Sequence, residues 1–314
     1  MSLKPLTILL ASPRGFCAGV TRAIQIVTLA LEKYHPPVYV RHEIVHNRFV
    51  VDSLANKGAV FVNELDEVPD GATVIFSAHG VPLKVKEEAK RRKLNVIDAT
   101  CPLVEKVHKE ARKNYKNGVK TLLIGHKGHP EVIGTMGQIP ADSIMLLSSL
   151  NDIDSIPESW TNVSYVTQTT LSLDETDSFL TKLKEKFPTL QKPHGNDICY
   201  ATTNRQRAVK SIAKKCDMVL VIGAPNSSNS KRLAEVAKEA GCPSSRLVQR
   251  AENVDWNEIQ KIDTLGVTAG ASAPQVLVRE LLDEANKRFD VSLKEYVEVT
   301  ETVKFALPAA LTEL

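Results

Sequence analysis

The sequence predicts an α/β chain of three similar lobes, each a small parallel sheet flanked by helices. Short, nearly continuous apolar runs alternate with amphipathic segments along the 314 residues, the pattern of parallel strands covered on both faces. Three cysteines, Cys17 in LLASPRGFCAGVTRAI, Cys101 in VIDATCPLVEKV and Cys199 in NDICYATTNRQRAV, each stand just past such a run and at the mouth of a helix. Their separations suit one small α/β lobe and far exceed those of a zinc-finger hairpin or a CxxC pair. One module used three times, with one thiol each, accounts for both observations.

Taken in order, the first lobe (1–98) is expected to hold the strands LTILLA, VYVRHEIV and TVIFSAHG. The second (99–195) holds NVIDATC, KTLLIGH and VSYVTQTT, and the third (196–285) holds NDICYATT, MVLVIGAPNSSNS and TLGVTAGASAP. A tail, 286–314, contains VKFALPAAL and is expected to pack back on the body. After Cys17, the residues Val20, Ala23, Ile24, Val27 and Leu31 fall on one helical stripe. Val209, Ile212, Ala213 and Cys216 repeat it, as do Leu233, Val236, Ala237 and Ala240, with Gly241 as a stop. Pro102 suits a first helical position, which makes Cys101 the cap.

Hydrophobic content of 43% and charged content of 25% describe an ordinary soluble globular chain. A net charge of +3, from 40 basic and 37 acidic residues, gives no reason to expect a nucleic-acid partner. No apolar run is long enough to cross a bilayer, so no membrane partner is expected either. MSLKPLTILLASPRGFC reads as a strand entering the first motif, without the apolar stretch and cleavage site of a signal peptide. The cytoplasm is therefore the expected compartment, where thiols stay reduced. The five cysteines then read as metal, catalytic or core residues.

In open parallel sheets, ligands bind beyond the carboxyl ends of the strands. The chemically loaded residues are concentrated there: the cysteines first, then His46, the His129–Pro130–Glu131 turn and Ser227–Ser228–Asn229. Ser77–His79, Thr167–Thr170 and Ala271–Ser272 complete the set. Cys216 completes a helical stripe and Cys242 reads as an incidental loop residue. The other three cysteines precede helices, where amide N–H groups and the dipole favour thiolates. A structural zinc would take a fourth protein ligand. Three thiolates suit an iron–sulfur cluster with one iron left open.

Of the eight histidines, His35, His108 and His194 read as solvated, and His42 and His126 as second-rank or structural. His46, His79 and His129 stand at strand ends beside Thr169, Thr170, Ser227, Ser228, Asn229 and Ser272. Imidazoles, hydroxyls, an amide and helix starts together make an anion site suited to phosphate groups. Helix capping alone would explain any single hydroxyl, such as Ser272 ahead of Pro274. No Walker A or Rossmann glycine pattern occurs, so a nucleotide is not indicated. Glu131, in the first turn after His129, has a dipole reason to be there, and burial there would also suit a proton donor. The residues alone leave open a zinc or di-metal phosphate hydrolase using His46, His79, His129 and Glu131, and an iron–sulfur redox sensor.

PRGFCAGVTRAI, YVRHEIVHNRFVVDSL, FSAHGVP, DATCPLVEKVH, GHKGHPEVIGTMGQ, TQTTLS, DICYATTNRQ, NSSNSKRLAE and GVTAGASAP follow one another in order. Together they resemble the 4-hydroxy-3-methylbut-2-enyl diphosphate reductase family. The resemblance implies a pseudo-threefold arrangement of the lobes around a central cavity. It implies a [4Fe–4S] cluster on Cys17, Cys101 and Cys199, with one iron open to the substrate hydroxyl. It also implies an allylic diphosphate held by His46, His79, His129, Ser227, Ser228, Asn229 and Ser272. Glu131 would deliver protons, Thr169 would relay or position them, and a ferredoxin or flavodoxin would supply electrons. The products would be isopentenyl and dimethylallyl diphosphate.

Overall fold

A computed structural model describes residues 3–312. Strand β1 (Lys4–Ser12) leads through the Cys17 loop into α1 (Ala18–Tyr34). There follow β2 (Val38–Arg41), α2 (Arg48–Ala55), β3 (Ala59–Val62), β4 (Thr73–Phe76), α3 (Leu83–Arg91) and β5 (Asn95–Asp98). The middle of the chain forms α4 (Pro102–Lys116), β6 (Lys120–Ile124), α5 (Pro130–Met136), β7 (Ile144–Leu147), β8 (Val163–Thr167) and α6 (Leu173–Lys186). The last part forms α7 (Tyr200–Ala213), β9 (Met218–Ile222), α8 (Ser228–Glu239), β10 (Ser244–Val248), α9 (Trp256–Ile259), β11 (Thr264–Ala269), α10 (Gln275–Arg288), β12 (Phe289–Val297) and α11 (Ala309–Thr312).

The strands make three parallel sheets, ordered β10-β9-β11-β1-β12, β3-β2-β4-β5 and β7-β6-β8. The expected α/β class, with small parallel sheets flanked by helices, is thus observed. The chain divides into two compact units. The first holds residues up to 18, 46–50 and 200–304, with the five-stranded sheet. The second holds 19–45, 51–199 and the residues from 305 on, with the other two sheets.

Strand pairing regroups the expected lobes. LTILLA, read as opening the first lobe, lies in the sheet of β9–β12, between β11 and β12. The reason is its lack of a polar face. Leu6, Ile8 and Leu10 point into one apolar cluster and Leu9 and Ala11 into another on the opposite side. Only an inner strand covers both. NVIDATC, read as opening the second lobe, instead completes the sheet of β2–β4. NDICYATT is no strand: residues 197–199 are a loop before α7, where Ile198 N donates to the Asn196 side chain and the Asp197 carboxylate accepts from Thr167 N at the end of β8. Four further strands, β3, β7, β10 and β12, have no counterpart in the expected nine. The first three are short, half-exposed edges, and β12 belongs to the segment expected to be a tail.

The helical stripes agree closely with expectation. Val209, Ile212 and Ala213 of α7 and Leu233, Val236 and Ala237 of α8 are buried, with Cys216, against β9. In α1 the buried line is Gly19, Ala23, Ile26, Val27, Ala30 and Leu31, so Val20 and Ile24 sit at its margin. Gly241, at φ +96, ends α8 in a conformation costly for other residues. Gly223 and Gly270, just past β9 and β11, admit the side chain of Ser230: a Cβ there would stand 2.2 and 2.0 Å from its Oγ. The start of α8 is thereby brought against the strand ends.

The loop before Cys17 is tied by Arg205, whose guanidinium is wholly buried. It donates to Gly15 O (2.7 Å), Phe16 O (3.3 Å) and Ala201 O (3.0 Å), and pairs with Glu301 at 3.0 Å. Replacing it with Met strips these carbonyls and leaves Glu301 without its cation, which costs about 3–5 kcal/mol. Urea unfolding of R205M should show that loss; a midpoint within error of the parent would refute the anchoring.

Candidate functional site

The three cysteine turns are built alike. The Cys101 amide donates to Ala78 O at 3.0 Å, that of Cys199 to Thr169 O at 3.0 Å and that of Cys17 to Ala271 O at 3.3 Å. Each carbonyl lies just past the end of β4, β8 or β11, so each cysteine is fixed beside one strand end of its own sheet. β5 and β1 deliver Cys101 and Cys17 there. Cys199 arrives on a loop steadied by a single bridge between Ser164 and Gln191 and by the Asp197 carboxylate, which accepts from Thr167 N at 3.1 Å. Cys101 caps α4, as expected, with Pro102 in the first turn.

The second unit gathers the proposed acid. Glu131 lies in the first turn of α5 and is buried. One carboxyl oxygen accepts from Thr169 N at 2.7 Å and the other from Thr169 Oγ at 2.9 Å. Burial raises its pKa to about 7, against the lowering effect of the two Thr169 bonds and with help from the nearby Asp197 charge. His129 caps the helix through Nδ1, which accepts from Glu131 N at 3.2 Å. A neutral His129 ring therefore carries its proton on Nε2. The His79 ring meets it edge-on, centroids 5.8 Å apart, and shares a 3.3 Å hydrogen bond with Ser77 Oγ.

Close backbone approach explains this grouping. Gly80, at φ +79, leaves room for His108: a Cβ would stand 2.5 Å from its Cε1. Gly134 of α5 lies against both. Gln138 then ties the two segments, donating to Val81 O at 2.8 Å and Gly134 O at 2.9 Å. His108, expected to be solvated, is 1% exposed and 3.6 Å from Glu105. The polar residues around it in sequence face outward, and its own helical position faces the glycines.

The first unit gathers His46, Ser227, Asn229 and Ser272. Ser272 Oγ donates to His46 O at 3.0 Å and lies 3.4 Å from Ser227 Oγ. Ser227 caps α8 by accepting from Ser230 N at 3.3 Å, and Ser228 opens that helix. Asn229 accepts from Ala271 N at 2.9 Å and donates to Thr202 Oγ at 3.3 Å, which fixes its amide orientation. Thr202 and Asp197 take part in these arrangements without having been singled out in the sequence; neither stands in a spacing that a pattern would pick.

Thiol chemistry separates the five cysteines. Cys216 and Cys242 are both 4% exposed, and burial pushes the Cys216 thiol up to about 12. Cys242 is thus a core residue of the sheet's helical face, beside Cys216, instead of an incidental loop residue. Cys17, Cys101 and Cys199 are half-exposed. Among the described residues no three His, Cys, Asp or Glu side chains gather closely enough to hold one metal ion. The fit to a cluster therefore rests on donor chemistry, three accessible thiols at helix starts, and these residues do fit.

A sequence profile described as LytB protein matches residues 8–286. A 4-hydroxy-3-methylbut-2-enyl diphosphate reductase of Cereibacter sphaeroides is 55% identical over 317 aligned residues, covering 100% of this chain and 98% of that protein. One of the same name from Rhizobium johnstonii is 58% identical, covering 95% and 91%. The solved structure of the E-1-hydroxy-2-methyl-but-2-enyl-4-diphosphate reductase from Plasmodium falciparum matches with a TM-score of 0.94 at 37% identity, over 98% of this chain and 97% of that one. With the matched profile spanning most of its length, the chain belongs to the LytB protein family.

Proposed function

We propose that the chain reduces (E)-4-hydroxy-3-methylbut-2-enyl diphosphate to isopentenyl and dimethylallyl diphosphate. Each turnover takes up two electrons and two protons and releases water. The observation that carries this reading is the buried Glu131 carboxyl, gripped by Thr169 and titrating near neutrality among histidines. The names of the relatives support the substrate.

Cys17, Cys101 and Cys199 are proposed to hold a [4Fe–4S] cluster. When bound, it supplies electrons singly and a Lewis-acidic iron at its open corner. A ferredoxin or flavodoxin in the cytoplasm is the proposed donor. The diphosphate is assigned to His46, His79, His129, Ser227, Ser228, Asn229 and Ser272. His129 offers Nε2–H, and Asn229, its amide fixed by Ala271 and Thr202, offers a preset donor. With its pKa raised to about 7, Glu131 exchanges a proton near neutral pH and passes it to the departing hydroxyl, while Thr169 keeps the carboxyl in place.

Anaerobic purification followed by absorption and electron paramagnetic resonance, with and without the allylic diphosphate, tests the assignment. A brown, oxygen-sensitive protein whose spectrum responds to the diphosphate is expected. A colourless zinc protein would support the hydrolase instead. C101S should lose or destabilise the cluster, and a fully loaded, active C101S would remove Cys101 from the ligand set.

Glu131→Gln should retain cluster and substrate binding but lose about 100-fold or more in kcat. Unimpaired turnover would remove Glu131 from the acid role. Its raised pKa also has a stability signature. The folded chain keeps this proton to about pH 7, whereas an unfolded glutamate loses it near 4.5. Stability from this group is complete below the lower value and disappears as pH rises through the upper one. The loss is about 3 kcal/mol. Urea unfolding between pH 4 and 8 should therefore show a decline in the parent that E131Q lacks.

A further inference from the structure

Each cysteine turn is also held by a cation, and the three cations follow one rule. On α1, the helix that begins after Cys17, Arg22 donates to Ala99 O at 3.3 Å and Thr100 O at 3.1 Å. Those carbonyls immediately precede Cys101. On α4, which begins after Cys101, Lys106 donates to Asn196 O at 2.6 Å and to the Asp197 carboxylate at 3.2 Å. Those groups precede Cys199. On α7, which begins after Cys199, Arg205 donates to Gly15 O at 2.7 Å and Phe16 O at 3.3 Å. Those carbonyls precede Cys17. Each cysteine's own helix thus holds the turn of the next, and the third returns to the first.

A turn that presents a thiolate also carries carbonyl oxygens, and unsatisfied carbonyls beside an anion are costly. A guanidinium or ammonium answers both, since it satisfies the oxygens and offsets the charge. We propose that Arg22, Lys106 and Arg205 are the positioning residues of the cysteine turns, and that the Arg22 charge makes the bound cluster easier to reduce. The second half rests on the iron–sulfur reading above.

The three charges are not equivalent. Lys106 is paired with Asp197, and Arg205 with Glu301 at 3.0 Å, so each is offset where it stands. Arg22 gives its hydrogen bonds to Ala99 O, Thr100 O and, through Nε at 2.7 Å, Ala306 O. The acidic groups that face it are Cys101 and Asp98. Asp98 is itself bonded to Lys86 at 2.8 Å and accepts from Thr100 N at 2.9 Å. Arg22 is half-buried, so salt screens its charge less than that of a surface cation. Reduction of a [4Fe–4S]2+ cluster by one electron from a low-potential donor adds one negative charge. A nearby cation favours the reduced state, and the midpoint potential rises.

Two measurements decide the matter on R22Q, R22K and K106Q. In the full chain before iron is supplied, hydrogen exchange should quicken at least tenfold around residues 99–101 in R22Q and around 196–199 in K106Q. Parent-like exchange in either would overturn the ties. In anaerobically reconstituted protein with parental iron content, a dithionite titration followed by electron paramagnetic resonance should place R22Q at a more negative potential. R22K should stay near the parent, because it keeps the charge and loses only the fork. Equal potentials for R22Q and the parent would overturn the charge role. A parent chain that takes up no cluster would overturn the iron–sulfur reading and the charge role with it, and the exchange rates would still decide the ties.

Discussion

One hydrogen bond, made three times, organises the chemistry of this chain: a cysteine amide donating to the carbonyl just past the third strand of its sheet. The bond couples two things that a sequence keeps far apart. It fixes the thiol against the sheet, and it fixes the residues after the strand, among them His79, Thr169 and Ser272, against the thiol. Because a backbone bond tolerates any side chain, Ala78, Thr169 and Ala271 can occupy equivalent places with different chemistry.

The polar groups nearest these turns are kept ready by opposite means. Glu131 is buried with two donors from one threonine, and desolvation outweighs them, so its pKa is raised to about 7. Asn229 is buried with donor and acceptor both engaged, so it has one orientation. A titrating group needs an environment that penalises its charge. An amide held in one orientation needs one that removes its rotational freedom. Both follow from residues adjacent to strand ends, where backbone bonds already limit motion.

Much of this was legible in the sequence, and the failures have physical causes. The central strands of every sheet were found because apolar runs such as MVLVI leave no other reading. The edges β3, β7 and β10 were missed, since one-sided burial gives them a weak pattern. LTILLA reads as a strand, but sequence adjacency does not reveal which neighbours cover both its faces, and it pairs with β11 and β12 instead of β2. Cys199 lies on a loop where the sequence suggests a strand. Its loop is held by Thr167 and Thr169, long-range partners that no local propensity reports.

His108 marks the same boundary from the other side. Its neighbours along the chain are charged, and a local reading sends it to solvent. Gly80 and Gly134, far away in sequence, open the space it fills. The glycines in FSAHGVP and GTMG could have signalled a close backbone approach, because a residue without a Cβ allows one. What they could not signal is the partner. The repeat in this chain is therefore one of backbone bonds and strand positions, with side chains exchanged freely among its copies. The polar residues at the strand ends could be read as a set from the sequence, whereas the bonds that make the three turns equivalent became visible only in three dimensions.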